Sequence, residues 1–411
     1  MKLSLNKLAE NLIWLLTVFI LTTYIVFEMK AWGRYAYFGA SVSIALLSAF
    51  LHKGRITIKM VPMYGFMLMF IAYTALSAVW AINPGDAITK AVTLFSILLC
   101  NMMLYVHYQY QSDVEKLLRA VMWAGYLVTI YAIVFYGLDA IILATRGGFI
   151  ENEFSNINTI GMTAATACII QVHEFQYKKS RKSVVLMIPC VVVIAATQSR
   201  KALLLLLLGM SLVYFLKQRE SHNFYNQITK GVFTVTISIG ILIVLYNLPI
   251  FEGVRNRVDR MILGFLGKTG ADSSTLLRRS MINLGWEWFL KYPVGGVGMG
   301  NPHILSAEYL SANTYLHNNY VELLCGGGMF GFCIYYSMHI YILRELWIYR
   351  NADRKMFEMC FVWLCLILIL DYGMVSYYSK SDWFELLIHF INVANLKQKA
   401  KINEKRGCGD E

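Results

Sequence analysis

The feature that most constrains this chain is a close-set succession of apolar runs. Candidates fall near 11–28, 35–51, 61–82, 91–106, 120–142, 157–173, 184–197, 202–216, 231–248, 317–342, 358–377 and 383–396, twelve in all. A segment of about 20 largely apolar residues can cross a bilayer as a helix, and snorkelling flanks allow fewer. Inside the bilayer each backbone N–H and C=O must be bonded within the structure, which leaves helices or closed barrels. Barrel strands run about 10 residues and alternate apolar with polar, and these runs do not. Hydrophobic residues make up 57% and charged residues 15% of the chain, against about a quarter charged in soluble domains. The fold class this predicts is an all-α polytopic membrane protein, with about twelve transmembrane helices and one long external loop. Run 11–28 reads as the first span rather than a cleaved signal, because the chain keeps re-entering the membrane.

Orientation follows from the cations. With the N-terminus inside, the inside connections are 52–60, 107–119, 174–183, 217–230, 343–357 and the two termini. They hold 23 of the 37 Lys plus Arg; the outside set holds 14, of which seven lie in 249–316 alone. Long loops weigh little in this comparison, so the contrast is 23 against seven, and it puts both termini in the cytoplasm and 249–316 outside. The net charge of +12 is then mostly this bias, including KKSRK at 178–182 and the basic tail, with contact to anionic membrane lipid besides. No nucleic-acid partner is expected. No linker, charge block, internal repeat or broken helix is legible, so 1–411 reads as a single membrane domain. The eight cysteines show no metal or disulfide spacing and read as packing residues.

Chemistry needs polar groups that water reaches beside others that it does not. The interval from Arg278 to Gly331 supplies both, with paired arginines, a glycine cluster and a histidine at the threshold of an apolar helix. The run GGVGMG at 295–300 fits neither nucleotide-loop template: Asn301 and His303 stand where glycine is required, and no GK[ST] follows. It reads as a tight turn that lets backbone pass close to a neighbour, or as one wall of a site. Among the eight histidines only His303 and His317 are expected outside. His317 opens HNNYVELLCGGGMFGF, where the positive end of a helix dipole would keep the ring neutral and able to take a proton. A hydrogen-bonded cap is the plainer role for it.

In TQSRKALL, Ser199, Arg200 and Lys201 sit between two short apolar runs. Two cations at a helix start oppose its dipole unless an anion compensates, and helix N-termini and guanidinium forks both suit phosphate. Snorkelling to headgroups is the alternative. Arg278 and Arg279, placed just before an amphipathic stretch, form a second cationic pair or a solvated face. Outside carboxylates are sparse, no DxD occurs, and Glu151-Asn152-Glu153 is a weak cation site at best; no metal and no cofactor are expected. Asp371 and Glu322 lie in apolar segments, which makes them functional suspects, although helix-to-helix pairing is the simpler reading.

Five stretches, in order, resemble the O-antigen ligase and Wzy-type O-antigen and capsular polysaccharide polymerase superfamily. They are SAVWAINPGDAITKA at 77–91, FSNINTIG at 154–161, TQSRKALL at 197–204, LRRSMINLGWEWFLKYPVGGVGMGN with an arginine fifteen residues before Pro293, and HNNYVELLCGGGMFG at 317–331. The likeness covers 75–340. It implies a bacterial glycosyltransferase of the cytoplasmic (inner) membrane with its site on the outer face. Such enzymes move a glycan en bloc from an undecaprenyl diphosphate carrier to an acceptor hydroxyl, with inversion and without a metal. Carried over by position, Arg200 and Arg278 are implied to bind the diphosphate and His317 to activate or place the acceptor. Arg279, Lys201, Asn318 and Asn158 are candidate substrate-binding neighbours. Two residues depart from the family pattern: Ile282 stands where an aromatic is common, which loosens the register of Arg278 against Arg279, and Gly326 where an acid is common. Gly327 and Gly331 form a GxxxG-like contact face.

The partners implied are the undecaprenyl-diphosphate-linked glycan, a glycan or lipid acceptor, and a chain-length regulator or flippase. A repeat-unit polymerase is favoured over an O-antigen ligase, because a ligase docking a phosphorylated lipid A core would be expected to carry more basic residues on its outer rim than Lys30, Arg34, Lys90 and Arg146. A transporter or flippase is the reading from another class, and it calls for internal repeats and broken helices.

Overall fold

The computed structural model describes residues 2–27, 30–55, 58–109, 114–146, 156–178, 185–218, 247–266 and 273–407, with a few single positions between 229 and 244. Among them the regular structure is helical throughout. In chain order the helices are α1 Lys2–Val26, α2 Ala31–Leu51, α3 Pro62–Leu76, α4 Pro84–Tyr108, α5 Val114–Tyr136, α6 Leu138–Thr145, α7 Ile157–Lys178 and α8 Met187–Ala196. They continue with α9 Arg200–Gln218, α10 Glu252–Phe265, α11 Ser273–Lys291, α12 Pro302–Leu310, α13 Asn319–Ile348, α14 Arg354–Leu370 and α15 Lys380–Gly407. Local sequence sets several starts. Prolines open α3, α4 and α12, where a missing N–H is harmless and the fixed φ already suits a helix. Asn83 caps α4 by accepting from the Gly85 N–H at 3.0 Å.

The chain divides into two compact units. The first comprises 1–53, 113–263 and 354–366, and the second 54–112, 264–353 and 367–411. In the first, α7 packs against α5, α8 and α9, while α1 packs on α2 and α5. One apolar cluster there joins Ile25, Val26, Val128, Ala132, Ile160 and Val193. One end of this unit is ionic: Lys355 and Lys178 reach Glu115 at 2.7 and 3.5 Å, and Arg354 pairs with Glu358 at 2.7 Å. Arg354 also donates to the Leu216 carbonyl, and Tyr177 to Glu358. The start of α5, the ends of α7 and α9, and the start of α14 therefore meet, as a shared side for 107–119, 174–183, 217–230 and 343–357 requires. The 22 residues of α7 make a rod of about 33 Å at 1.5 Å per residue. Its other end meets the turn between α8 and α9, since Gly161 lies directly under Thr197.

In the second unit α3 packs on α4 and α13, α11 on α12 and α13, and α15 on α4 and α13. Here too one end is ionic, with Glu345 held by Arg344 and Lys397 at 2.6 Å each and Lys399 paired with Asp353. The opposite end carries the N-termini of α4 and α13 and the glycine turn.

Six helices are long and apolar enough to cross a membrane among the described residues: Leu5–Val26, Trp32–Leu51, Pro62–Val79, Pro84–Tyr108, Val114–Tyr136 and Asn319–Ile348. The count of twelve is not reproduced. Runs 157–173, 184–197, 202–216, 358–377 and 383–396 coincide with α7, α8, α9, α14 and α15, each of which is shorter or more polar than the six. Most of run 231–248 lies outside the described residues, as do 179–182 and Glu151-Asn152-Glu153. The segment 249–316 is not an extended loop: α10, α11 and α12 fill most of it.

Candidate functional site

The candidate residues fall into two groups, one in each unit. In the first unit the TQSR turn joins α8 to α9. Thr197 Oγ1 accepts from the Ser199 N–H and Ser199 Oγ from the Ala202 N–H, both at 3.3 Å, so the two hydroxyls cap the start of α9. Arg200 is the first residue of that helix and Lys201 the second, and both are half-buried. Gln198 holds a φ of +50°, a conformation that side chains larger than glycine seldom take. It is tied down twice: its amide donates to the Ala144 carbonyl at 2.9 Å, and its own carbonyl accepts from Arg257 Nη1 at 3.3 Å. Arg200 Nη1 returns a bond to the Arg257 carbonyl at 3.4 Å. Two guanidiniums thus flank one helix N-terminus, whose dipole favours anions over cations. Nothing in the sequence singles out Arg257, because RNRVDR at 255–260 reads as a basic run offset by Asp259, and only the packing of α10 on this turn selects it. Asn158 lies in the first turn of α7, with its backbone N–H and side-chain amide both donating to Asn156 Oδ1 at 3.0 and 3.2 Å. Asn156 rather than Asn158 is therefore the capping acceptor there.

In the second unit the glycine cluster is a wedge of backbone. α13 is broken at Gly328, with φ 59° and ψ −165°, a conformation close to glycine-only. The turn after α11 supplies replacement partners at the break. Val297 N–H donates to the Cys325 carbonyl at 2.9 Å, and the Met329 and Phe330 N–H groups donate to the Pro293 and Val294 carbonyls at 2.8 and 3.4 Å. The other side of the wedge rests on the α3–α4 connection. Trp80 Nε1 donates to Gly295 O, Met299 N–H to Ser77 Oγ, and Asn301 Oδ1 accepts from the Asn83 N–H at 2.6 Å. A Cβ at Gly296 would run into the Cys325 carbonyl, one at Gly298 into Ala81, and one at Gly328 into the Val294 carbonyl. The structure therefore supports the close-packed-turn reading of GGVGMG, and it corrects the expectation of an unbroken helix. Gly327 and Gly331 form a contact face, with Met299 and Tyr73 against it.

The HNN threshold is built next to this wedge. α13 begins at Asn319, two residues after His317. Asn318 is the N-cap, accepting from the Val321 N–H at 3.1 Å. His317 stands outside the helix with φ +57° and its ring 4.4 Å from that of Tyr315. Asn319 is buried and locked: its N–H donates to the Asp371 carbonyl at 2.8 Å, its Nδ2 to Tyr336 Oη at 2.9 Å, and its Oδ1 accepts from Ser376 and Tyr377 N–H. Asp371 Oδ2 accepts from Tyr336 at 2.8 Å and Oδ1 from Ser376 at 2.5 Å. Asp371 thus follows α14 in a turn rather than lying inside a helix, and it anchors the HNN motif. Glu322, expected to pair between helices, accepts at Oε2 from the Leu316 N–H at 2.8 Å and lies within electrostatic reach of Lys90.

Arg278 and Arg279 lie within α11 rather than before it. Arg278 is half-buried, on the face that continues through Met281, Ile282 and Gly285, while Arg279 points along the exposed face with Asn283 and Trp286. Met281 packs in one cluster with Leu316, Val321 and Cys325, and Ile282 covers it. Arg278 thus stands one helical turn from Met281, which shares a cluster with Leu316, the residue before His317, and Ile282 packs against that cluster. His303 places Nδ1 2.8 Å from the Gly300 carbonyl, to which it donates, and Nε2 3.7 Å from Asp86, so it bridges the end of the glycine turn and the start of α4. Among the described residues no three His, Cys, Asp or Glu side chains are grouped to hold a metal ion.

No curated protein matches the chain. Residues 183–336 match the family described as O-antigen ligase, Wzy_C. The matched segment contains Arg200, Arg278 and His317, with SAVWAINPGDAITKA and FSNINTIG lying ahead of it. That match, on a helical scaffold with several helices apolar enough to cross a membrane, supports a likeness to the O-antigen ligase and Wzy-type superfamily over 183–336.

Proposed function

We propose that this protein is a bacterial inner-membrane glycosyltransferase that moves an undecaprenyl-diphosphate-linked glycan en bloc to an acceptor hydroxyl at the outer face. The observation that carries this is that the O-antigen ligase match holds, in one segment, a half-buried arginine at a capped helix start, a second on a packed helix face, and a histidine beside an anchored helix N-terminus. The acceptor oxygen attacks the anomeric carbon as the bond to the carrier diphosphate breaks, with inversion. His317 takes the hydroxyl proton. Negative charge grows on the leaving diphosphate, and Arg200 and Arg278 stabilise it without a metal, more strongly in a partly dehydrated site than in water. Lys201, Arg279, Asn318 and Asn158 contribute to substrate binding, while the polyprenyl tail stays in lipid.

Repeat-unit polymerisation is the favoured form of the reaction, on the sparse basic residues of the early outer connections. Ligation of finished glycan to a lipid A core or another acceptor is the alternative. Purified protein given a lipid-diphosphate-linked repeat unit should yield carrier-linked oligomers together with free carrier diphosphate. Substrate movement across vesicles with no bond made would instead place the protein among transporters.

A further inference from the structure

We infer that Glu322 is a positioning residue for the transfer reaction, holding the His317 backbone in place through the Leu316 N–H. The inference rests on the proposed role of His317. Glu322 is 4% exposed, in the first turn of an apolar helix, and a carboxylate there is expensive unless hydrogen bonds and charge satisfy it. Its Oε2 accepts from the Leu316 N–H at 2.8 Å, and its own N–H donates to the Asn318 carbonyl at 2.9 Å. The Asn318 side chain in turn accepts from the Val321 N–H at 3.1 Å. Bonds from the first turn of α13 therefore grip the residue before His317 and the residue after it. Between those anchors His317 takes a φ of +57°, which a non-glycine residue keeps only when its surroundings impose it.

The charged group facing Glu322 from the neighbouring helix is Lys90 of α4, whose Nζ lies 3.4 Å from the centroid of the Tyr378 ring. A simple Glu322–Lys90 pair would stabilise packing but would not require the Leu316 bond. The staple makes a different demand, an acceptor oxygen at that point whatever its charge. A catalytic base must be held to within roughly 0.5 Å, and a displacement of about 1 Å can lower the rate on the order of a hundredfold.

The test is transfer kinetics of the purified full-length protein with a lipid-diphosphate-linked repeat unit. Glu322→Gln keeps the acceptor and should stay within about threefold of wild type, whereas Glu322→Ala should lose about thirtyfold or more in kcat with KM for the donor nearly unchanged. Glu322→Met keeps the volume without the acceptor and should show the same loss if the alanine variant does not accumulate. In a His317→Ala background, Glu322→Ala should remove nothing further, because its effect passes through that ring. Wild-type rates in Glu322→Ala or Glu322→Met would overturn the inference, as would equal damage from Gln and Ala, or independent losses that multiply. Absence of transfer by the wild-type protein would strike at the proposed function itself.

Discussion

At the scale of residues, the distinction that matters is between cations that are held and cations that are merely present. Arg200 is fixed by a doubly capped turn and by its bond to Arg257, and Arg278 lies on the packed face of α11, whereas Arg279 faces outward. Arg200→Ala and Arg278→Ala should each lower transfer about a hundredfold, the loss of roughly 3 kcal/mol of charge-assisted stabilisation, and Arg279→Ala should be milder. Lysine should restore only part, because it keeps charge without the fork. Near-normal rates in both alanine variants at normal protein level would remove the diphosphate assignment. The two histidines should also separate. His317→Ala should lose about 10² to 10⁴ in rate, while His303→Ala, which releases only the glycine turn from Asp86, should act mainly on stability. An unchanged rate–pH profile in an active His317→Ala protein would send the search for the base elsewhere.

At the scale of elements, the broken helix and its wedge are one unit. Breaking α13 at Gly328 frees backbone groups that would be intolerable in an apolar segment, and the turn at 293–297 satisfies them. Gly328→Ala should therefore destabilise the protein by about 3 kcal/mol, through a forbidden φ and a collision with the Val294 carbonyl together. Gly65→Ala in α3 meets nothing within 4 Å and should be neutral or slightly stabilising, by roughly 0.5–1 kcal/mol. Thermal unfolding in detergent compares the two directly, and similar midpoints would mean that the wedge is not under this constraint. The sequence showed the glycines but not their purpose, since GGVGMG and GGGMFG lie 26 or more positions apart and only folding sets one against the other.

At the scale of the whole molecule, the charge bias and the ends of α5, α7, α9 and α14 in the first unit agree on a shared side. Cysteine introduced at Lys178 should resist a membrane-impermeant reagent in intact cells, and cysteine at the exposed Lys291 should react. The opposite pattern would turn the candidate site to the cytoplasm, where no outer-face transfer could occur. Deletion of the gene should leave surface glycan as single repeat units in place of a ladder. Accumulation of long carrier-linked chains would favour the ligase.

The sequence alone determined that the chain is helical and membrane-spanning, because apolar length and the need to satisfy backbone polar groups leave no other solution. It also marked Arg200, Arg278 and His317 as candidates, through their places in stretches that resemble the superfamily. Span number was less legible, since α7, α9 and α15 mix polar and apolar residues in ways that composition cannot assign to lipid or protein neighbours. Only tertiary structure decided that Arg257 joins the Arg200 turn, that Ile282 packs where an aromatic was expected, and that Asp371 and Glu322 fasten the two sides of the HNN threshold. Those roles depend on which backbone groups lie within about 3 Å of a side chain after packing. Contacts of that kind between distant positions leave no periodic trace along a single chain.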